Sequence, residues 1–321
     1  MDAITQCIEA LIIGGPQAAD QLVMIPLARA AFPPRTYKVL EEAISDETAS
    51  VSEISEAGSV PTLLFENKAP QPVLLIDGDT LMGAKQNRTL NLSILIPAGT
   101  RTEIPVSCVE AGRWSRTSRQ FSPSADHMYA SGRARMMHDV HRSMDAGRGP
   151  RADQQEVWGD IDRKMGRMGV SSRTRTMTDI YEQRGCSLDA MAGQLTAAPD
   201  QVGAIFVVRD RIAGLELFDH PETLALKLPK LVRSYGLDAI DESAAFEACS
   251  IPTSEAFLHG IAGAQRSEDH AVGLGIHTRL QGAGLIGSAL VMDGRLIRLS
   301  AFPSAARSTT GDAPAPRPGK A

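Results

Sequence analysis

Aromatic residues are scarce in this chain of 321 residues, only 4% of the total. Broad stacking platforms for single-stranded nucleic acid are therefore not expected. Positive charge is in short supply too. Against 33 Lys+Arg stand 38 Asp+Glu, a formal net charge of -5, so no nucleic-acid partner is expected for the chain as a whole. No apolar run approaches the roughly 18 residues that a membrane span needs, and no membrane association is expected. The first residues include Asp2 and Glu9 instead of a basic stretch followed by a long apolar one, which argues against a secretory leader. Cysteines are few and dispersed: Cys7, Cys108, Cys186 and Cys249 form no Cys-x-x-Cys pair. A disulfide framework and a structural zinc site are thereby disfavoured. These absences together lead us to expect a cytoplasmic protein.

What is present is ordinary for a folded chain: 43% hydrophobic and 22% charged residues exclude wholesale disorder. The charge is unevenly spread. Residues 111–185 carry 14 Lys+Arg against 9 Asp+Glu, while the rest of the chain carries 19 against 29. Thirteen of those 14 cations are Arg, a residue suited to bidentate contact with phosphate or carboxylate. The plainer reading is a solvated helical face. The opposite bias occurs in Glu41, Glu42, Asp46, Glu47, Glu53 and Glu56, with no Lys or Arg among residues 41–56. Docking of the two regions on each other, within a chain or between subunits, would neutralise both.

Periodicity divides the chain coarsely. Tyr37, Leu40 and Ile44 suggest a short helix over 36–45. A period of two then marks strands near 49–55, 60–66, 72–76, 88–96 and 102–109. In 88–96, Arg88, Leu90, Leu92, Ile94 and Ile96 share a face; in 102–109, Ile104, Val106 and Cys108 do, and Glu110 continues it. Residues 115–152 are polar and read as a helical or mobile cover. Asp153 and Glu156 make a capping box for a helix that Gly169 ends. Strands at 203–208 and 212–217 precede a helix, with a capping box at Asp219 and Glu222 and with Leu224, Leu228, Leu231 and Tyr235 on one face. Another helix starts near Thr253. Strands at 273–280, 285–291 and 295–300 form a terminal meander turning at Asp293-Gly294. The expectation is one α+β domain over 1–302: a β-rich part at about 45–112, a helical Arg-rich part at 113–200 and an α+β part at 201–302. A disordered tail is expected over 303–321.

Three motifs fail on their surroundings. Gly282-Ala283-Gly284-Leu285-Ile286-Gly287 fits the dinucleotide fingerprint, but a strand rather than a helix follows it, so a Rossmann unit is not expected. Gly78 to Lys85 resembles a phosphate loop, yet Ala84 displaces the lysine and Gln86 stands where a magnesium-binding hydroxyl belongs. His138 and His141 could meet on a helix, but no third ligand is evident and arginines surround them. His127, His220, His259, His270 and His277 show no ligand spacing, so neither metal nor cofactor is expected.

Two polar stretches remain. In Asp77-Gly78-Asp79-Thr80-Leu81-Met82-Gly83-Ala84-Lys85-Gln86-Asn87-Arg88, two glycines allow close backbone approach, and Lys85, Gln86, Asn87 and Arg88 offer cationic and amide groups to an anion or polar heterocycle. A loop that caps strand ends explains the same residues equally well. In Val106-Ser107-Cys108-Val109-Glu110-Ala111-Gly112-Arg113-Trp114, Glu110 could act as general acid or base, or pair with Arg88 or Arg113. Cys108 could be a nucleophile only if its pKa were lowered; a small buried residue is the better reading. Trp114 could stack on a base or cover the core.

Further quoted stretches complete a pattern. Glu56-Ala57-Gly58-Ser59-Val60-Pro61, Gly83-Ala84-Lys85-Gln86-Asn87-Arg88, Pro105-Val106-Ser107-Cys108-Val109-Glu110 and Gly112-Arg113-Trp114 resemble the ARG and rhodanese-phosphatase-superfamily-associated protein domain, a prokaryotic family. Val157-Trp158, Gln201-Val202-Gly203, Leu217-Phe218-Asp219 and Ser234-Tyr235 extend the resemblance, which runs from about residue 10 to 245. Asp79 departs from it, since the family pattern has Glu there. The resemblance assigns no activity. Its gene neighbourhoods, which include ADP-ribosylglycohydrolases, imply NAD or ADP-ribose metabolism.

The functional expectation is a protein that binds or processes a phosphorylated nucleotide-like metabolite, ADP-ribose being the favoured class. Lys85, Gln86, Asn87, Arg88, Arg113 and Trp114 would hold the ligand, and Glu110 or Asp79 would move a proton if chemistry follows. One alternative is a non-catalytic partner or sensor protein that docks through 111–185, onto a protein partner or in a homo-oligomer. A weaker one is an enzyme that uses Cys108.

Overall fold

The computed structural model describes residues 2–55, 59–115, 118–241, 253–282 and 284–304. It is α+β, with almost wholly antiparallel sheet and a C-terminal meander. Three sheets organise it. A closed barrel is built, in order around its wall, from Arg101–Cys108, Thr62–Asn67, Ala49–Glu53, Phe121–His127, Asp79–Gly83 and Arg88–Leu90. A small sheet of Ile94–Ile96, Val73–Leu75 and Lys38–Val39 contains a parallel pairing, Lys38–Val39 against Val73–Leu74. A nine-stranded sheet unites the N-terminal strands with the C-terminal half. There Leu22–Ala28 pairs with Gln201–Val208, and Arg211–Phe218 leads through Arg295–Pro303 to the meander.

Alternation along the barrel strands explains its interior. Val51, Leu63, Phe65, Leu81, Leu90, Ile104, Val106 and Phe121 pack into one buried cluster. Cross-strand register puts Phe65 opposite Val51, Ile104 opposite Leu63 and Val106 opposite Leu90, so these side chains stand on the same face.

The stretch expected to be one strand at 88–96 is two. Asn91 and Ser93 interrupt it because their side chains take other partners: Asn91 donates to the Pro150 carbonyl (3.0 Å) and accepts from Ser107 (2.7 Å), while Ser93 donates to Asp77 (2.8 Å). Arg88 and Leu90 therefore belong to the barrel, whereas Ile94 and Ile96 belong to the small sheet. The helix expected at 36–45 is shorter, Leu40–Ser45, after the strand Lys38–Val39.

Residues 115–152 depart furthest from expectation. Instead of a cover, they supply the strand Phe121–His127, which closes the barrel, and the helix Ala130–Asp145. Met136, Met137 and Val140 of that helix are buried, and so are the polar Arg133 and His141. The later helix follows its caps: Asp153 accepts from the amides of Gln155 and Glu156, and Gly169 takes φ 63° after Met168. His220, rather than Asp219, caps Pro221–Ile240. Of the fingerprint-like glycines, Gly282 ends a strand opposite Leu285 and Gly287 lies within the next strand opposite Leu280, and they open no helix. Pro303 ends the last strand and Ser304 bonds His138; the rest of the expected tail, 305–321, lies outside the described residues. Among the described residues no helix is long and apolar enough to cross a membrane.

Candidate functional site

At one end of the barrel the inward-facing row turns from apolar to charged. Arg88 lies opposite Cys108 and Leu81, and Glu53 lies opposite Leu63, so all three polar side chains continue the interior face. The Arg88 side chain is fully buried and that of Glu53 is 4% exposed, yet their closest approach is 3.9 Å. Arg88 Nη1 reaches the Gln86 carbonyl and side-chain oxygen, each at 3.2 Å. Its Nε and Nη2, together with both carboxylate oxygens of Glu53, have no hydrogen-bond partner among the described residues. Such open valences in a desolvated place are costly unless something fills them. Burial, more than any neighbour, lowers the Arg88 pKa. Trp114 lies over this end, half exposed, with Lys85 Nζ 5.3 Å and Arg88 Cζ 5.9 Å from its ring centroid.

The two sequence stretches do converge. Glu110 accepts from the Asn87 amide (3.1 Å) and, at its two oxygens, from Arg113 Nε (2.9 Å) and Nη2 (2.6 Å). Arg113 also donates to the carbonyls of Ala84 (2.8 Å) and Ser115 (3.0 Å). Asn87 receives Gly83 N–H at 3.2 Å and donates to Thr176. Glu110, Arg113 and Asn87 thus form a closed clasp that shapes the loop Gly83–Arg88. Cys108 is completely buried, and burial pushes its thiol up to about 11, so it stays protonated at neutral pH.

Asp79 stands apart from that clasp. It accepts from Lys227 (2.9 and 3.0 Å) and from the Ile76 amide (3.0 Å), with the His127 ring at 3.5 Å. Burial opposes its ionisation, but Lys227 and His127 outweigh burial and hold the carboxyl well below the usual range. Lys227 also binds Glu41, which Lys230 shares. Three more acidic residues of 41–53 have partners: Glu42 with Arg35, Asp46 with Lys38, and Glu53, loosely, with Arg88. Their partners lie outside 111–185, so among the described residues those two segments do not neutralise each other.

Sequence reasoning missed a second buried network beside Asp79. Glu216 receives Arg133 (2.6 Å), Tyr235 (2.7 Å) and Arg298, while Asp77 accepts from Ser93 and Ser300 and faces both arginines at 3.5 and 3.6 Å. Burial disfavours ionised Glu216, yet Arg133 and Arg298 bring it down to about 2. Gly78 has φ +88°, and a Cβ there would come within 2.3 Å of Arg133 Cδ, which explains the glycine. These partners are far apart in sequence and carry no local signature. Glu53 did leave one: a charge at an inward position two residues after Val51.

The family model of the ARG and Rhodanese-Phosphatase-superfamily-associated Protein domain matches residues 10–302. No curated protein and no solved structure matches the chain.

Proposed function

The chain belongs to the ARG and Rhodanese-Phosphatase-superfamily-associated Protein domain family, and on that premise we propose that its barrel mouth binds a phosphorylated nucleotide-like metabolite of the ADP-ribose or NAD class. The observation that carries this reading is the buried Arg88–Glu53 pair, with unfilled hydrogen-bonding valences, beneath the half-exposed ring of Trp114. A flat heterocycle stacks on Trp114. Its amide or hydroxyl hydrogens go to Glu53, while Arg88 and Lys85 take the anionic oxygens. Glu110 and Arg113 position the loop and need not touch the ligand. Cys108 packs against Arg88 as a neutral thiol.

Docking through residues 111–185 has weaker support. Seven of its arginines, at 113, 133, 135, 142, 163, 167 and 175, and Lys164 already meet carboxylates. Most of the segment's positive charge is thereby neutralised within the chain.

Titration with ADP-ribose, NAD and AMP tests the proposal by calorimetry and tryptophan fluorescence. Saturable heat and quenching are expected, with quenching absent in Trp114→Phe and affinity at least about tenfold weaker in Arg88→Gln or Glu53→Gln. No saturation at millimolar ligand, or wild-type affinity in all three variants, overturns it.

A further inference from the structure

The helices Ala130–Asp145 and Gln154–Met168 flank a cleft of about 450 Å³, within the range of small-molecule sites. Its floor is apolar: Met128, Gly132, Met136 and Val157. A second hollow of similar size adjoins it, sharing Asp139, Arg142 and Asp153 and adding Ser143, Arg148 and Arg151. The two form one trough, with the methionines in the first hollow among charged side chains and Arg148 and Arg151 in the second.

The carboxylates along this trough are already engaged. Asp160 accepts from Tyr129 (2.6 Å) and Arg135 (2.5 Å). Asp139 accepts from Arg142, and Asp153 caps the second helix. Arg163 stands near Glu156 and Asp160 at 3.8 and 3.6 Å. Two cations remain over. Arg148 and Arg151 are exposed, line the same hollow, and meet no carboxylate among the described residues. Gly147 and Gly149, at φ 69° and 74°, bracket Arg148, so the loop turns through left-handed conformations on either side of it. The uncommitted charge of the trough is therefore positive and sits at one end.

We infer that this trough binds a nucleoside phosphate at a site separate from the barrel mouth. The base lies on the methionine floor, where thioethers make favourable contacts with aromatic rings. The phosphate lies between Arg148 and Arg151, whose guanidinium forks match its oxygens. Glu156, which Arg163 approaches only to 3.8 Å, accepts from the ribose hydroxyls between them. None of the side chains lining the trough belongs to the barrel mouth, so the inference does not depend on the reading given above.

The experiment uses the full chain carrying Trp114→Ala, which removes the stacking surface of the mouth while altering only a half-exposed side chain. AMP, ribose 5-phosphate and inorganic phosphate are titrated by calorimetry into this protein, and into versions that also carry Arg148→Ser with Arg151→Ser, or Met136→Trp. Circular dichroism checks that each is folded. AMP should bind the Trp114→Ala protein. Its affinity should fall about tenfold or more with the serine pair, as expected for losing charge-assisted hydrogen bonds. Ribose 5-phosphate, lacking the base, should bind several-fold more weakly than AMP, and Met136→Trp should exclude AMP by filling the floor. AMP binding that disappears with Trp114→Ala alone overturns the inference, and so does affinity unchanged by the serine pair. Equal affinities for AMP and inorganic phosphate would remove the base-binding half and overturn it too.

Discussion

Gln154 holds both main-chain groups of Cys108: its Oε1 accepts from the Cys108 amide and its Nε2 donates to the Cys108 carbonyl, each at 2.8 Å. A helix side chain here completes hydrogen bonding at a barrel strand's last residue, in place of another strand.

Truncating that amide leaves two main-chain groups short of partners. Gln154→Ala is expected to destabilise the protein by about 2 kcal/mol, within the range for unsatisfied polar groups. Gln155→Ala, an exposed neighbour, should change stability by less than about 0.5 kcal/mol. Urea unfolding compares the two, and an equal effect would refute the role given to Gln154.

The Lys227–Asp79 pair should give stability a particular pH dependence. Asp79 has a folded pKa below its unfolded value, so its contribution is present above about pH 4 and fades as pH falls toward the folded value. Lys227 has a folded pKa raised by Asp79 and Glu41 despite burial; its contribution is present below about pH 10 and fades as pH rises through the folded value. Lys227→Met should cost about 3–5 kcal/mol at pH 7, because a buried carboxylate loses its partner. Without Lys227, burial favours protonated Asp79, so the deficit relative to wild type should narrow toward pH 4. Urea midpoints at pH 7 and 4 read this, and a deficit that widens with acid contradicts it.

His277 governs a different window. Burial brings its pKa from 6.5 down to about 4, and neither ring nitrogen has a hydrogen-bond partner among the described residues. The unfolded chain therefore takes up a proton between about pH 6.5 and 4 that the folded chain refuses, and stability falls as pH drops through that interval. The full effect is on the order of 3 kcal/mol. His277→Gln should flatten the decline; His141, brought to about 3, and His127, also lowered by burial, contribute to what persists. An unaltered pH profile in the variant would rule His277 out.

Thiol reactivity offers a direct check on the barrel end. Cys186 is exposed and Cys108 buried with its pKa near 11, so iodoacetamide at pH 7.5 should label Cys186 first. Peptide mapping after limited alkylation measures this. Prompt modification of native Cys108 would show an accessible thiolate there.

Much of this architecture was legible because it is local. Caps such as Asp153, the Gly169 terminus, and alternation in 49–55 and 102–109 depend on residues a few positions apart. The joining of Asn87 to Glu110 was foreshadowed by two polar stretches flanked by apolar strands. Barrel closure was hidden, since Phe121–His127 alternates weakly and contains Pro123 and Asp126, residues that disfavour strands when read alone. The same holds for Arg133 and Glu216. Each reads as a surface charge until distant segments supply its counter-ion.

The barrel's last strand ends at His127, whereas the large sheet needs Arg295–Pro303. On a ribosome adding roughly 5–20 residues each second, the 176 residues between those points take about 9–35 s to appear. The barrel can close in that interval. The second edge of Leu22–Ala28, by contrast, must wait for Gln201–Val208, about 180 residues onward. One edge pairs at once with Ile12–Ile13 and Gln17–Ala19, but the other stays open through most of synthesis. Chaperone demand during production therefore falls on the amino-terminal strands, and a nascent chain arrested soon after residue 127 would carry a finished barrel beside a small sheet with one open, aggregation-prone edge.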